Sequence, residues 1–474
     1  MTKSSPSVVW FRNDLRLSDN PALLAAVARG PVIPLFILDD ETAGRPRGAA
    51  SRWWLDKSLR SLGRDLAAAG APLALRRGGA REVLNQVIEE TRAGAILWNR
   101  LYDGPTVERD RDIEVGLAHR GLECRSFNAG LLNEPWDIKT GAGGPYKVFT
   151  PYWRAARAAA EGCAPNPDVK TIPPSSRGAR SEDIDGCGLH PDQPDWSGGF
   201  GDWNPGEAGA RNRLNSFLDD TAKDYAEHRD RPDRAGTSRL SPHLHFGEIG
   251  PRQVWAAAQS AAARGDVSER QVEAFLRELG WREFNHHLLF HFPHLASEPL
   301  DQRFKAFPWR TERSGLEAWR RGKTGFPIVD AGMRELWTTG WMHNRVRMIA
   351  ASFLVKDLLI DWREGEAWFW DTLVDADPAN NAANWQWVAG SGADAAPFFR
   401  VFNPVLQGEK FDPQGGYVRR WVPELANVPN ALIHQPWRAE ADLLGAQPGA
   451  IYPGPIVDHT LARHRALAAY ETSK

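Results

Sequence analysis

The sequence predicts two architectures in series: a doubly wound α/β domain built on a parallel sheet, then an all-helical domain. Three observations predict this. Over the first third of the chain, short β-branched or apolar runs alternate with alanine- and leucine-rich helical stretches. A segment rich in Pro, Gly, Ser and Asp then interrupts all periodicity. Beyond it, nearly every apolar run has the 3.6-residue spacing of a helix.

The first strand-like runs are residues 7–12 (SVVWFR) and 31–38 (PVIPLFIL), each flanked by turn residues. Between them Asn20–Arg29 reads as a helix, with Asn20 near its cap and Pro21 at its first position, where the missing N–H costs nothing. Strand-like runs recur at Pro72–Leu75, Ala95–Trp98 and, weakly, Glu123–Phe127, separated by helical stretches at 51–69, 80–91 and 105–119. Strands joined through helices pair in parallel, so the α/β domain is placed at 6–135. From Cys163 to Pro205, stretches such as APNPDVKTIPPSSRG and DQPDWSGGFGDWNPG cannot bury a core, and 136–204 is read as an exposed interdomain linker. The helical domain, 205–471, has helical period at 205–222, 250–264, 267–292, 313–321, 328–339, 341–360 and 363–372. A last helix falls near 459–471, after a tail richer in Pro and Gly, and there is no internal repeat.

Composition bounds the function. The chain of 474 residues is 42% hydrophobic and 25% charged, as in soluble globular proteins. It has no apolar run of about 18 residues, so no membrane span is expected. The amino-terminal MTKSSPSVVWF lacks the three parts of a signal peptide, which makes a cytoplasmic protein the expectation. Cys124, Cys163 and Cys187 show no ligand spacing, which argues against a disulfide framework and against a metal centre. A net charge of −2 disfavours a uniformly basic DNA coat. Yet 47 of the 58 cations are arginine, whose planar fork suits local phosphate sites. The 21 tryptophans lie mostly in the carboxyl-terminal half.

Six motifs carry a resemblance. VVWFRNDLRLSDNPAL in the first domain is followed by GTSRLSPHLHFGEI, ELGWREF, GWMHNRVRM, DWREGE and NNAANWQW. In this order the chain resembles the photolyase/cryptochrome family, nearest to the microbial photolyases of cyclobutane pyrimidine dimers. The resemblance implies an antenna-binding α/β domain and a helical domain that holds FAD beneath a lesion pocket. The expected activity is light-driven repair of UV-damaged DNA by electron transfer from reduced FAD to a flipped-out dimer, by a monomer with no obligate protein partner.

The resemblance also assigns residues. Thr237, Ser238, Arg239, Leu240 and Ser241 match the family's phosphate-binding loop, where hydroxyls and free N–H groups suit a pyrophosphate. Tyr225 matches the family's FAD-contacting tyrosine, Phe275 stands as a mild change at the aromatic usually stacked near the adenine or lesion side, and Arg347, Asp375 and Asp377 match positions near the isoalloxazine and ribityl groups. Asn381 matches the side chain facing flavin N5, where photolyases have asparagine, plant cryptochromes aspartate and insect cryptochromes cysteine. Trp309, Trp362 and Trp385 match an electron relay running from solvent to flavin.

The lesion pocket is assigned to Glu278, Trp281, Arg282, Asn344, Arg345, Met348 and Trp387. The two tryptophans would stack on the extruded bases, Glu278 would bond base edges, and the arginines would hold phosphates. Related enzymes for (6-4) photoproducts carry histidines where this chain has Asn344 and Met348. His343, one residue away, would face about 100° off on a helix. Folate-binding members have an Asn-Glu pair in the stretch matching Thr106–Arg109, and here Glu108 matches while Val107 does not. The second chromophore is therefore expected to be methenyltetrahydrofolate, with a deazaflavin as the alternative. The rival reading is a cryptochrome-type photoreceptor without repair activity, which Asn381 opposes. A doubly wound electron-transfer flavoprotein would show GxGxxG after the first strand, where this chain reads WFRNDLRLSDN.

Overall fold

The computed structural model describes residues 5–39, 42, 44–395, 399–438 and 452–473. By compactness the chain forms two units: Met1–Ser197 with Gly201–Lys223 and Ser238–Pro293, and Gly198–Phe200 with Asp224–Thr237 and His294–Lys474.

The first unit contains the sheet. Its strands are β1 (Ser7–Phe11), β2 (Val32–Leu38), β3 (Ala74–Arg77), β4 (Ala95–Asn99) and β5 (Glu123–Phe127). They pair in parallel in the order β3-β2-β1-β4-β5, with Ser7 opposite both Val32 and Ala95. The chain moves outward from β1 through β2 to β3, then returns to β4 on the other side of β1. Parallel connections are right-handed as a rule, and connections that leave β1 in both directions then put helices on both faces, which is the doubly wound arrangement. The helix Pro21–Arg29 begins where predicted, with the Asn20 side chain accepting the Leu23 N–H at 3.1 Å. Arg16 explains much of the first motif. Its buried guanidinium donates to the carbonyls of Ser18, Asp19, Ala129 and Gly247, tying separate loops to one point.

The stretch read as linker holds more structure than its composition implies. Phe149–Ala160 is a helix, and Phe149, Tyr152, Trp153, Ala156 and Ala160 form its buried face. Pro151 hides it from inspection, but a proline in the first turn removes no helical hydrogen bond. Further on, Ile172 donates to Ala69, Val32 to Pro173 and Glu182 to Leu75. The linker thereby lies along β3 and shields an otherwise open sheet edge.

The second unit is helical. Around a core including Trp319, Phe353, Trp362 and Trp385 it arranges helices that include Pro327–Thr339, Asn344–Ser352, Trp362–Thr372 and Pro378–Ala389. The stretch 341–360, predicted as one helix, starts only at Asn344 and ends in a π-helical turn, Phe353–Asp357. That turn carries two buried charged residues. Lys356 donates to the Ala389 carbonyl at 2.7 Å, and Asp357 pairs with His459 at 2.6 Å. The glycine of DWREGE has a steric reason: a Cβ at Gly365 would lie 2.1 Å from the Trp385 ring.

Candidate functional site

Within the second unit the sequence-assigned residues gather on a few helix ends. The helix Asn344–Ser352 presents Asn344 and Met348 on one face, four residues apart. Asn344 is exposed, while Arg345 and Met348 are half-buried. The Arg345 guanidinium donates to Asp230 at 2.7 Å and to the Met348 sulfur at 3.7 Å, and lies 4.4 Å from the centre of the Phe411 ring.

His343 caps this helix: its Nδ1 accepts the Arg345 N–H at 3.2 Å. Burial pushes its pKa down to about 4, Arg347, Arg345 and Arg229 add to the fall, and Asp230 opposes it. At neutral pH the ring is therefore an uncharged acceptor spent on backbone. The backbone N–H of His343 donates to Glu335 at 3.1 Å, and that carboxylate also accepts the Tyr417 hydroxyl at 2.6 Å, while Nε2 of the ring has no partner among the described residues.

Arg347 binds the Met342 carbonyl through Nε at 2.7 Å and Asp375 through Nη2 at 2.8 Å. The Asp375 side chain is 2% exposed, and its Oδ1 has no hydrogen-bond partner among the described residues. A buried acceptor with an unused oxygen fits a donor on a bound polar ring. Asp377 serves locally, capping Pro378–Ala389 by accepting the N–H groups of Ala379 and Asn380.

Because Asp377 holds the cap, Asn381 is free for another task. Its amide nitrogen donates to Glu366 twice, to the carbonyl at 3.0 Å and to Oε1 at 2.7 Å. The two contacts fix which way the amide points and leave its oxygen outside both bonds. Glu366 belongs to DWREGE, but nothing in the sequence connects it with Asn381, fifteen residues on.

Trp362 and Trp385 share the unit's core, and Gly365, one turn after Trp362, touches the Trp385 ring. Trp309 is half-buried, 4.4 Å from Phe307 between ring centres. Trp319, which sequence reasoning missed, lies edge-on to Trp385 at 6.1 Å. Trp387 is half-buried, its indole N–H donating to Asp394 at 3.1 Å. Tyr225 is buried with the Arg229 guanidinium over its ring, and Thr237 is half-buried.

The remaining assigned residues belong to the first unit. Phe275, Glu278, Trp281 and Arg282 lie on the helix Glu269–His291. Phe275 packs 4.6 Å from Phe217, and Glu278 is half-buried. Trp281 stacks on Phe149 at 3.7 Å with the planes 7° apart, so one of its faces is already held. Arg282 donates to the Gly130 carbonyl at 2.8 Å and to Glu283 at 3.3 Å. Glu283 accepts the N–H groups of Leu132 and Asn133, and burial raises its pKa to about 7. In the Gly-led loop, Ser238 accepts the Leu240 N–H at 3.4 Å. Arg239 adopts a left-handed φ of 51° with its guanidinium 4.5 Å from the centre of the Trp203 ring. Ser241 is exposed at the head of a short helix, and Glu108 is exposed on the helix Gly104–Ala118.

Residues 7–173 match the family described as DNA photolyase, and 275–472 the family described as FAD binding domain of DNA photolyase. A deoxyribodipyrimidine photo-lyase of Agrobacterium fabrum is 52% identical, over 100% of this chain and 99% of its own. Cryptochrome-1 of Arabidopsis thaliana is 40% identical, over 98% of this chain and 70% of its own. A crystal structure of a bacterial class III photolyase from Agrobacterium tumefaciens superimposes with a TM-score of 0.96 at 51% identity, covering 100% of this chain and 98% of that one.

Proposed function

The chain belongs to the photolyase/cryptochrome family and is an FAD-binding, light-driven DNA-repair enzyme, and on that premise we propose that its substrate is the cyclobutane pyrimidine dimer. One observation carries the choice of lesion. The helix face that bears Asn344 and Met348 holds no acid, and the neighbouring imidazole of His343 is neutral and committed to the helix cap. Splitting a cyclobutane dimer needs an electron in and an electron back, with no net proton transfer. Opening a (6-4) product also moves a hydroxyl group, which requires a proton donor.

Bound FAD in its reduced form supplies the electron under light. Asp375 and the Asn381 oxygen would hold its ring, Thr237, Ser238 and Ser241 its phosphates, and Tyr225 and Phe275 its flanks. Trp309, Trp362 and Trp385 would refill it with electrons. Trp281 and Trp387 would grip the extruded dimer, Glu278 would bond its edge, and Arg282 and Arg345 would hold the kinked strand. The second chromophore in this reading is methenyltetrahydrofolate contacted by Glu108, and the enzyme is a cytoplasmic monomer.

The test is illumination of the reduced enzyme with each purified lesion in an oligonucleotide. Restoration of the cyclobutane dimer with the (6-4) product untouched is expected. Repair of the (6-4) product, or none of the dimer, refutes the reading.

A further inference from the structure

A doubly wound sheet has one place where successive connections leave in opposite directions, and ligands of such folds bind there, beyond the carboxyl ends of the strands. In this sheet the place lies between β1 and β4. Trp10 and Arg12 come to it from the end of β1, Asn99 from β4, Asp39 from the end of β2, and Arg109 and Asp110 from the helix Gly104–Ala118.

These side chains engage one another. Arg12 pairs with Asp110 at 2.5 Å and donates to the Asn99 carbonyl. Arg109 pairs with the other oxygen of Asp110 at 2.9 Å and with Asp39 at 3.2 Å. Both guanidiniums lie over the Trp10 ring, 4.8 and 5.0 Å from its centre. Two cations thus face two carboxylates, and a flat aromatic surface is already covered by charge.

A space wide enough for a three-ring chromophore, open or closed, would leave its walls reachable by water. Trp10 is 1% exposed, Arg12 5% and Asp110 8%. The Trp10 indole N–H, Arg12 Nε and the Asn99 side-chain oxygen have no partner among the described residues, yet each has under 1 Å² accessible. They line no such space. Inserting a ring would have to separate buried ion pairs, and a charge left buried without its partner is strongly unfavourable.

We infer that the crevice at the sheet's switch point is filled by the chain's own ion pairs and takes neither a deazaflavin nor a second flavin. The inference bears on the proposed antenna: it removes the tricyclic candidates from the place where this fold would receive them.

The experiment equilibrates the FAD-bound protein separately with 8-hydroxy-5-deazariboflavin, FMN and methenyltetrahydrofolate. Free ligand is then removed by gel filtration, and chromophore per FAD and quenching of chromophore fluorescence are read. Both tricyclic compounds should elute free and unquenched. Stoichiometric retention of either one, lost in Arg109→Gln or Trp10→Phe, overturns the inference. Retention unchanged by both substitutions puts the compound elsewhere, and the crevice assignment stands. Trp10→Phe keeps an aromatic in the core and Arg109→Gln keeps a polar side chain that can still donate to Asp110, so failure of one to fold leaves the other. The folate arm is separate: its elution in free form refutes the antenna reading and not this one.

Discussion

Removing the guanidinium of Arg347 tests how the second unit holds its proposed flavin-facing carboxylate. Asp375 is 2% exposed at its side chain, one oxygen is bound to Arg347 at 2.8 Å, and the other has no partner among the described residues. Arg347→Met therefore leaves a buried carboxylate with no counter-charge. Breaking a buried pair from one side costs about 3–5 kcal/mol. The Arg347 side chain is 23% exposed, so solvent screens part of the interaction, and about 3 kcal/mol is expected. That is a large share of a total stability of roughly 5–15 kcal/mol. Asp375→Asn should cost less, because the arginine it frees can reach water. Urea unfolding of FAD-stripped protein, followed by near-ultraviolet circular dichroism, measures both. The same titration with FAD added reads the free oxygen: if the cofactor meets it, FAD should stabilise Asp375→Asn less than the native chain. An Arg347→Met variant within about 0.5 kcal/mol of the native chain would show that Asp375 is solvated or paired otherwise, and the reasoning would fail.

Three further substitutions address the relay, the lesion pocket and pH. Trp309→Phe should block photoreduction of oxidised FAD while leaving dimer repair by chemically reduced enzyme unchanged; loss of both would make the indole structural. A base stacked on an aromatic contributes about 1–3 kcal/mol, so Trp281→Ala should weaken binding of dimer-containing DNA by roughly ten- to a hundredfold. Binding of undamaged DNA should change far less and should fall with salt. Equal losses on both would mean that Trp281 serves only its stack on Phe149. Glu283 holds its proton more tightly in the folded protein, at about 7, than the usual 4.5 of a free glutamate. The folded state then binds more protons than the unfolded one between these values, so Glu283 makes stability fall as pH rises through that window. Glu283→Gln should flatten this fall, and parallel pH–stability curves for the two proteins would contradict it.

What could be read from the sequence was what neighbours along the chain decide. The alternation of apolar runs and helices implied the parallel sheet, and Asn20 and Pro21 marked a helix start that the structure repeats almost to the residue. Features that depend on closure of the fold were hidden. Asp110 reaches Arg12 across 98 positions, and the stack of Phe149 on Trp281 needed a helix obscured by Pro151. The predicted helix over 341–360 failed at Phe353–Asp357, where buried Lys356 and Asp357 find partners outside their own segment.

Asn381 shows where local reading stops and why. Asparagine early in a helix ordinarily means a cap, since its side chain satisfies the free N–H groups of the first turn. Here Asp377 already accepts those groups, four positions earlier. Asn381 is left inside a helix that its residue type disfavours, and buried. An amide in that position is costly unless both ends are satisfied. Glu366 satisfies the nitrogen. The oxygen lies outside these bonds, and in the proposed reading it meets reduced flavin N5–H, the group that the family resemblance places opposite it. A residue that breaks a local rule without a structural gain is where function is expected. The sequence contained the residue, but only the cap at Asp377 and the contact with Glu366 turn it from an ordinary helix start into a candidate for the proposed site.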